Sequence, residues 1–396
     1  MVVRGFVWTV PTRVVAAPGR GAEVVAAMVG TAPALVVGDA AVRDRAELLA
    51  THLGCETHEV STPCDFGAVD RLAALVSQAS ARVVVAVGGG TVMDLARVAA
   101  LAAADRSLAG PDGWPGEGLR GRAATSVTQA APAVVAVPST VGTGAEVSSL
   151  AVVAEAGRTL RAVLADPGLH PRAAVLDVEM LRSLPRQLVR DGLLETAARA
   201  LGPALADDGA HPAADEFAAV FVRRAMALSA KVGGGRAGTV LPDRVLAEAA
   251  WLATSSATQL ASVGRTVSDS PLWLLQHAVT GSSGQPKAAA LRALLPVLLE
   301  RVTQQEDVGP LVTPGRSATL ASLITGPVGS EVAGARALHS ALRDCGLLDG
   351  PSAAIDPQVH AADLVEHGFT RKGALEGQSV ASLAHAISPS VGSQPS

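Results

Sequence analysis

Three consecutive glycines, Gly88, Gly89 and Gly90, lie between the valine-rich run Arg82–Val87 and the segment Thr91-Val-Met-Asp94. Glycine has no Cβ, so its backbone N–H groups can come close to a ligand. A helix that starts at such a loop presents unpaired N–H donors and the positive end of its dipole. The pattern therefore predicts an anion site suited to a pyrophosphate. Thr91 and Asp94 are read as a capping pair, the hydroxyl serving an N–H three residues on. The spacing is not G-x-G-x-x-G, so the common dinucleotide fingerprint is absent. A second glycine loop, Val137-Pro-Ser-Thr-Val-Gly-Thr-Gly-Ala-Glu-Val-Ser148, again follows an apolar run. Its hydroxyls Ser139, Thr140 and Thr143, with Gly142 and Gly144 among them, suit a sugar or phosphate edge. A glycine-rich turn that binds nothing is the plain alternative for either loop alone. Two such loops argue against it.

These loops need elements that hold them at neighbouring strand ends. Short apolar runs at Thr12–Ala16, Ala34–Val37, Arg82–Val87 and Ala133–Val137 read as buried parallel strands. An apolar stretch of helical period, Val69–Gln78, separates the second from the third. The alternation predicts an α/β sheet with helices on its faces. Glu146–Ala154 reads as a hairpin or edge strand with a partner at Arg161–Ala165. From about Leu181 the character changes. Segments 186–206, 213–232, 243–262, 271–281 and 286–303 are Ala/Leu-rich and helically periodic. The boundary is placed near Val178–Leu184, where Pro185 can open a helix. The expected organisation is an α/β nucleotide-binding domain over 1–180 and an all-α domain over 181–387. A Ser/Pro/Gly-rich disordered tail is expected over 388–396.

The bulk numbers set limits. A chain of 396 residues with 49% hydrophobic and 17% charged residues has the size of two globular domains. A net charge of −4 supplies no basic field, so nucleic acid is not expected as a partner. Three cysteines, Cys55, Cys64 and Cys345, sit at no metal-ligand or redox spacing, which fits a reducing compartment. The first residues lack a long apolar core with a cleavage site, and charged residues or glycine break every apolar stretch short of a membrane span. A cytoplasmic protein with no membrane partner is expected. The bias toward Arg, Ala, Val and Gly is that of a GC-rich genome.

The two loops, GGGTVMD (88–94) and PSTVGTGAEVS (138–148), resemble the nucleotide-binding signatures of iron-containing alcohol dehydrogenases, a family related to glycerol dehydrogenase and dehydroquinate synthase. The likeness extends to Pro11-Thr-Arg-Val-Val, Gly19–Ala22, Val175-Leu-Asp177 and Leu184-Pro185, and covers about residues 8–300. It implies the fold just described, with a dinucleotide in the cleft between the domains. Gly88, Gly89, Gly90, Thr91 and Asp94 then match the pyrophosphate loop, and Ser139, Thr140 and Thr143 the second cofactor loop. Asp39 matches the acidic position facing the adenosine ribose. A carboxylate there accepts from ribose hydroxyls and repels a 2′-phosphate, which favours NAD over NADP. Its plain alternative is a turn or cap residue.

The resemblance also implies a divalent ion on an Asp and a His four apart on one helix, with two later histidines. Those positions hold Glu195, Arg199, Trp273 and Gln285. Guanidinium and indole offer only donors, so no metal is expected. Glu195 and Arg199 suggest a salt bridge in which the guanidinium stands where the cation would, able to polarise a substrate oxygen. His277, in Trp273-Leu-Leu-Gln-His277, keeps the second histidine of the H-x-x-x-H element and is a candidate acid or base. Lysine is scarce here; Lys287 lies close to the former metal positions and is preferred to Lys231. The alternatives are a routine helix ion pair and a satisfied buried histidine. The other histidines form no ligand-spaced cluster and read as surface or cap residues.

Three functions compete. The first is a metal-independent NAD-dependent oxidoreductase acting on a hydroxyl or carbonyl. Its substrate would be a β-hydroxy acid or a peptide C-terminal Thr, whose keto acid decarboxylates, in a biosynthetic tailoring step. The second is a non-catalytic pseudoenzyme that binds NAD or a partner enzyme. The third is a sugar-phosphate cyclase, echoed by Glu195 but lacking that branch's phosphate and histidine signatures. A homodimer, or a complex with a pathway partner, is expected for each.

Overall fold

The valine-rich runs become the inner strands of one parallel sheet. A computed structural model describes residues 6–61, 64–121, 130–234, 240–265, 270–371 and 375–389. The strands are β1 (Arg13–Ala16), β2 (Ala34–Gly38), β3 (Glu56–Glu59), β4 (Val83–Gly88), β6 (Ala133–Pro138) and β9 (Ala173–Leu176), in the order β1-β9-β6-β4-β2-β3. Every residue of β4 is buried, as a strand covered on both faces requires. Its side chains alternate: Val84 and Ala86 join the core under α3 (Phe66–Gln78) and α4 (Gly90–Ala104), while Val83, Val85 and Val87 join the core under α1 (Gly21–Val29) and α2 (Arg43–Leu53). A smaller sheet pairs β8 (Ala162–Ala165) antiparallel with β7 (Leu150–Val153) and parallel with β5 (Leu119–Gly121). The hairpin expected over Glu146–Ala154 and Arg161–Ala165 is this β7–β8 pair. Its first residues instead form a short 3-10 turn, Ala145–Val147.

The helical part contains α5 (Arg186–Ala206), α6 (Pro212–Gly233), α8 (Pro271–Ser283), α9 (Lys287–Thr303), α10 (Arg316–Ile324), α11 (Glu331–Asp344), α12 (Pro357–Glu366) and α13 (Val380–Ile387). Between α6 and α8 lies α7 (Asp243–Ala257). No helix among the described residues is long and apolar enough to cross a membrane. The tail expected to be disordered falls, from residue 390 on, outside the described residues.

The chain forms two compact units. One comprises Thr9–Val189 with Gly238–Thr258; the other comprises Arg190–Ala237 and Gln259–Ser396 with the residues up to Trp8. The division thus differs from the expected one near residue 180, chiefly because α7 packs with the sheet. Its Leu246, Ala249 and Ala253 are buried, its Thr254 donates to the buried Glu146 at 2.6 Å, and its Asp243 pairs with Arg182 at 2.7 Å. The helical unit has its own polar core. Arg265 donates to Asp207 at 3.0 Å and to Asp215 at 2.9 Å, and Arg316 also donates to Asp215.

Candidate functional site

Strands β4 and β6 are neighbours in register, with Gly88 opposite Pro138, and the Ser139 N–H donates to the Gly88 carbonyl at 2.9 Å. The two glycine loops therefore leave the carboxyl edge of the sheet side by side. Strand β2 ends one place further along, Gly38 opposite Val87, so Asp39 follows on the other flank of β4. The chain order reverses between β2 and β4, and ligands in open α/β sheets bind outside the strand ends at such a point.

The loops touch. A Cβ on Gly89 would stand 3.3 Å from the Thr140 side chain, and one on Gly90 would stand 3.2 Å from Thr143. A Cβ on Gly88 would meet Val92 at 2.7 Å. At Gly88 the backbone passes too close for a side chain, and at Gly89 and Gly90 a Cβ would need the facing threonine to give way slightly. Helix α4 begins at Gly90 with Gly89 as its N-cap and no side-chain cap bond. Thr91 and Asp94 are therefore not a capping pair: Thr91 already lies inside the helix, and a glycine cap offers no side-chain acceptor. Asp94 instead accepts from Arg97 and, at 2.9 Å, from the Val152 N–H. Among the described residues the Thr140 hydroxyl oxygen is buried with no hydrogen-bond partner. An uncapped helix N-terminus, a cradle without side chains and an orphaned hydroxyl fit the phosphate and sugar edge of a dinucleotide. Thr140→Val tests this. A buried hydroxyl with no partner contributes nothing to hold the fold, so its loss should leave stability unchanged or raised by about 1 kcal/mol, while weakening NADH binding. Thermal melts and an NADH titration read the two effects; a variant that melts early and binds normally would show a structural hydroxyl.

Asp39 caps the 3-10 turn Ala40–Val42, accepting from the Ala41 N–H at 3.0 Å. This is the plain role foreseen for it, and it occupies one of the two carboxylate oxygens.

In the helical unit, Asp191, Glu195 and Arg199 follow at four-residue steps on α5 and share a face. Asp191 accepts from Arg292 of α9. Arg199, expected to pair with Glu195, acts on its carboxylate electrostatically. Desolvation pushes the Glu195 carboxyl above its ordinary range; Lys287 and then Arg199 pull it down, and Asp191 pushes it up. Burial outweighs both cations, and Lys287, the first residue of α9, acts more strongly on Glu195 than Arg199 does. Arg199 has partners of its own. His277 is 4% exposed, stacked on Trp273 with ring centroids at 5.5 Å and edge-on to Phe369 at 5.6 Å. Gln285 is exposed, its N–H donating to Ser283 at 3.2 Å, and Lys231 is exposed in the last turn of α6. His360, expected at the surface, is 3% exposed; its Nδ1 meets the Ser282 hydroxyl at 2.8 Å and its Nε2 accepts from the Asp356 N–H at 3.1 Å.

A divalent ion does not fit the residues at the four ligand positions. The positions that the resemblance marks hold one carboxylate, one exposed amide, and a guanidinium and an indole that offer only donors. Among the described residues no three His, Cys, Asp or Glu side chains gather to hold a metal.

Among the buried charges in the sheet unit that sequence reasoning missed are Arg97 and Glu146. The signal for the first was present: an arginine inside Leu95-Ala-Arg-Val-Ala-Ala-Leu101, an otherwise apolar helix, three residues after an aspartate.

Comparison with known proteins agrees with this geometry. A family model described as iron-containing alcohol dehydrogenase matches residues 11–178. Phosphonoacetaldehyde reductase from Streptomyces viridochromogenes is 41% identical over 135 residues, which are 32% of this chain and 32% of that protein. The matched segment spans about a third or less of the length of the curated relatives. The crystal structure of NADH-dependent butanol dehydrogenase A from Thermotoga maritima superposes with a TM-score of 0.74 at 18% identity, over 97% of this chain and 98% of that one. Sulfoacetaldehyde reductase from Bifidobacterium kashiwanohense in complex with NAD+ gives 0.71 at 21% identity, over 96% and 97%. Residues 11–178 thus resemble the iron-containing alcohol dehydrogenase family in sequence, and nearly the whole chain shares the fold of these solved structures.

Proposed function

We propose that the protein is an NAD(H)-dependent oxidoreductase that interconverts a hydroxyl and a carbonyl on a substrate carrying an acidic group, and that it works without a bound metal. The observation that carries the reading is the pair of touching glycine loops at the uncapped start of α4, with the Thr140 hydroxyl left for a ligand. Gly88–Gly90 and the first turn of α4 bind the pyrophosphate, and Ser139, Thr140 and Thr143 orient the adjoining sugar. The nicotinamide, when bound, supplies or accepts the hydride. What remains for the protein is to hold the substrate and steady the charge that grows on its oxygen. Lys287 and Arg199 provide two cations beside Glu195 for that purpose, among the positions that the resemblance marks for a metal.

One relative supports an acidic substrate: the name of phosphonoacetaldehyde reductase, 41% identical over its matched segment, pairs an aldehyde with a phosphonate. A β-hydroxy acid or a peptide C-terminal Thr carries a carboxylate at comparable reach, and its oxidised form loses carbon dioxide readily. A cofactor-binding subunit without turnover is the second reading, favoured by His277, which is packed between Trp273 and Phe369 as a core residue is.

The test is NADH oxidation by chelator-treated protein with phosphonoacetaldehyde, sulfoacetaldehyde or butanal. Turnover of the acidic aldehydes above butanal supports the reading. Lys287→Met and Arg199→Met should each lower kcat/KM on the acidic aldehyde by about 100-fold, the effect of removing one preorganised donor. No turnover, or turnover indifferent to both variants, refutes the assignment.

A further inference from the structure

Arg97 is a charged side chain at 1% exposure inside α4. A guanidinium has five N–H donors, and here five acceptors meet them. Nε donates to the Met93 carbonyl at 3.2 Å, Nη1 to Ser148 at 2.5 Å and Leu169 at 3.2 Å, and Nη2 to Leu150 at 2.7 Å and to Asp94. The second oxygen of Asp94 accepts from the Val152 N–H at 2.9 Å. His170 Nδ1 meets the Val147 carbonyl at 3.0 Å, and burial and the Arg97 charge both hold that imidazole below its ordinary range. The backbone from 147 to 152, where the second glycine loop runs into β7, is thus tied at four places. Three of those ties come from Arg97 and Asp94, one and two turns into the helix whose first residues form the first loop.

We propose that Arg97 and Asp94 are positioning residues for cofactor binding: they clamp the second glycine loop onto α4 and so set its distance from Gly88–Gly90. Asp94 does this through the protein, with both carboxylate oxygens engaged, rather than by touching the ligand. The contacts of Gly89 with Thr140 and of Gly90 with Thr143 are the distances the clamp maintains. Lysine cannot substitute, because three donors on a single nitrogen cannot reach carbonyls that lie on different segments.

The inference rests on the NAD-binding reading, and the experiment separates the two. NADH is titrated into the full-length wild type, Arg97→Lys and Asp94→Asn, with thermal melts of each. KM for NADH and for the carbonyl substrate is measured where turnover is found. Arg97→Lys, which keeps the charge, should weaken NADH binding about tenfold or more, the scale of losing one or two hydrogen bonds, and leave the carbonyl substrate's KM unchanged. Asp94→Asn, which keeps the shape and one acceptor, should fall between it and the wild type. If the folded variants bind NADH as the wild type does, or if both KM values rise together, the clamp is not a positioning device. If the wild type itself does not bind NADH, the cofactor reading fails first.

Discussion

Asp215→Ala should unfold the helical unit more readily than any other single change to a side chain in it. Asp215 accepts from Arg265 at 2.9 Å and from Arg316, and Arg265 reaches on to Asp207 at 3.0 Å. Arg265 and Arg316 anchor the network to the Ala261 and Ala204 carbonyls at 2.7 and 2.9 Å. The four side chains are between 0% and 7% exposed, so water cannot take over when one partner leaves. Two arginines and two aspartates balance as a set, but removing Asp215 leaves a buried excess cation. The expected cost is about 3–5 kcal/mol, or roughly 10 °C in melting temperature for a unit of this size. Chemical denaturation of the variant checks it. A loss below about 1 kcal/mol would mean that water already penetrates the network.

Gly88→Ala should remove cofactor binding. The new Cβ would lie 2.7 Å from Val92 Cγ2 and 2.8 Å from Val92 Cβ. Val92 is 1% exposed in the first turn of α4, and a β-branched side chain in a helix has essentially one rotamer available. The strand end and the helix start must therefore separate, which costs about 1–3 kcal/mol of stability as overpacking does. The same shift moves the N–H groups that would meet the pyrophosphate. We expect NADH affinity to fall about 100-fold, equivalent to about 2.7 kcal/mol. Normal affinity in a folded Gly88→Ala protein would place the pyrophosphate elsewhere.

What was legible in the sequence follows from how each signal arises. Buried parallel strands advertise themselves as valine runs, so β2, β4 and β6 were readable to within a residue or so. The edge strand β3, Glu-Thr-His-Glu, shows nothing of the kind because an edge is solvated. The span 186–206 matched α5, which starts just after Pro185 and continues past the internal Pro203 to Ala206. The helix read over 243–262 ends at Ala257, and a separate 3-10 turn follows at Leu260–Ser262. That α7 packs with the sheet depends on partners far away in sequence, Glu146 and Arg182, which local pattern cannot show. Spacing also misled at one pair. Thr91 and Asp94 have capping-box spacing, but a glycine holds the cap and Asp94 turns to Arg97. Glu195 and Arg199 have ion-pair spacing and do interact, but that a residue from another helix, Lys287, also acts on the carboxylate is something local spacing cannot show. That two glycine loops follow neighbouring buried strands was readable because a run of glycines after a valine strand is stated directly by the sequence.

The most direct test of the central claim is an NADH titration of chelator-treated full-length protein, followed by energy transfer from its tryptophans. The account predicts saturable binding in the micromolar range that is unchanged when divalent zinc or iron is returned. Absence of binding at millimolar NADH, or binding that appears only after the metal is restored, would contradict it.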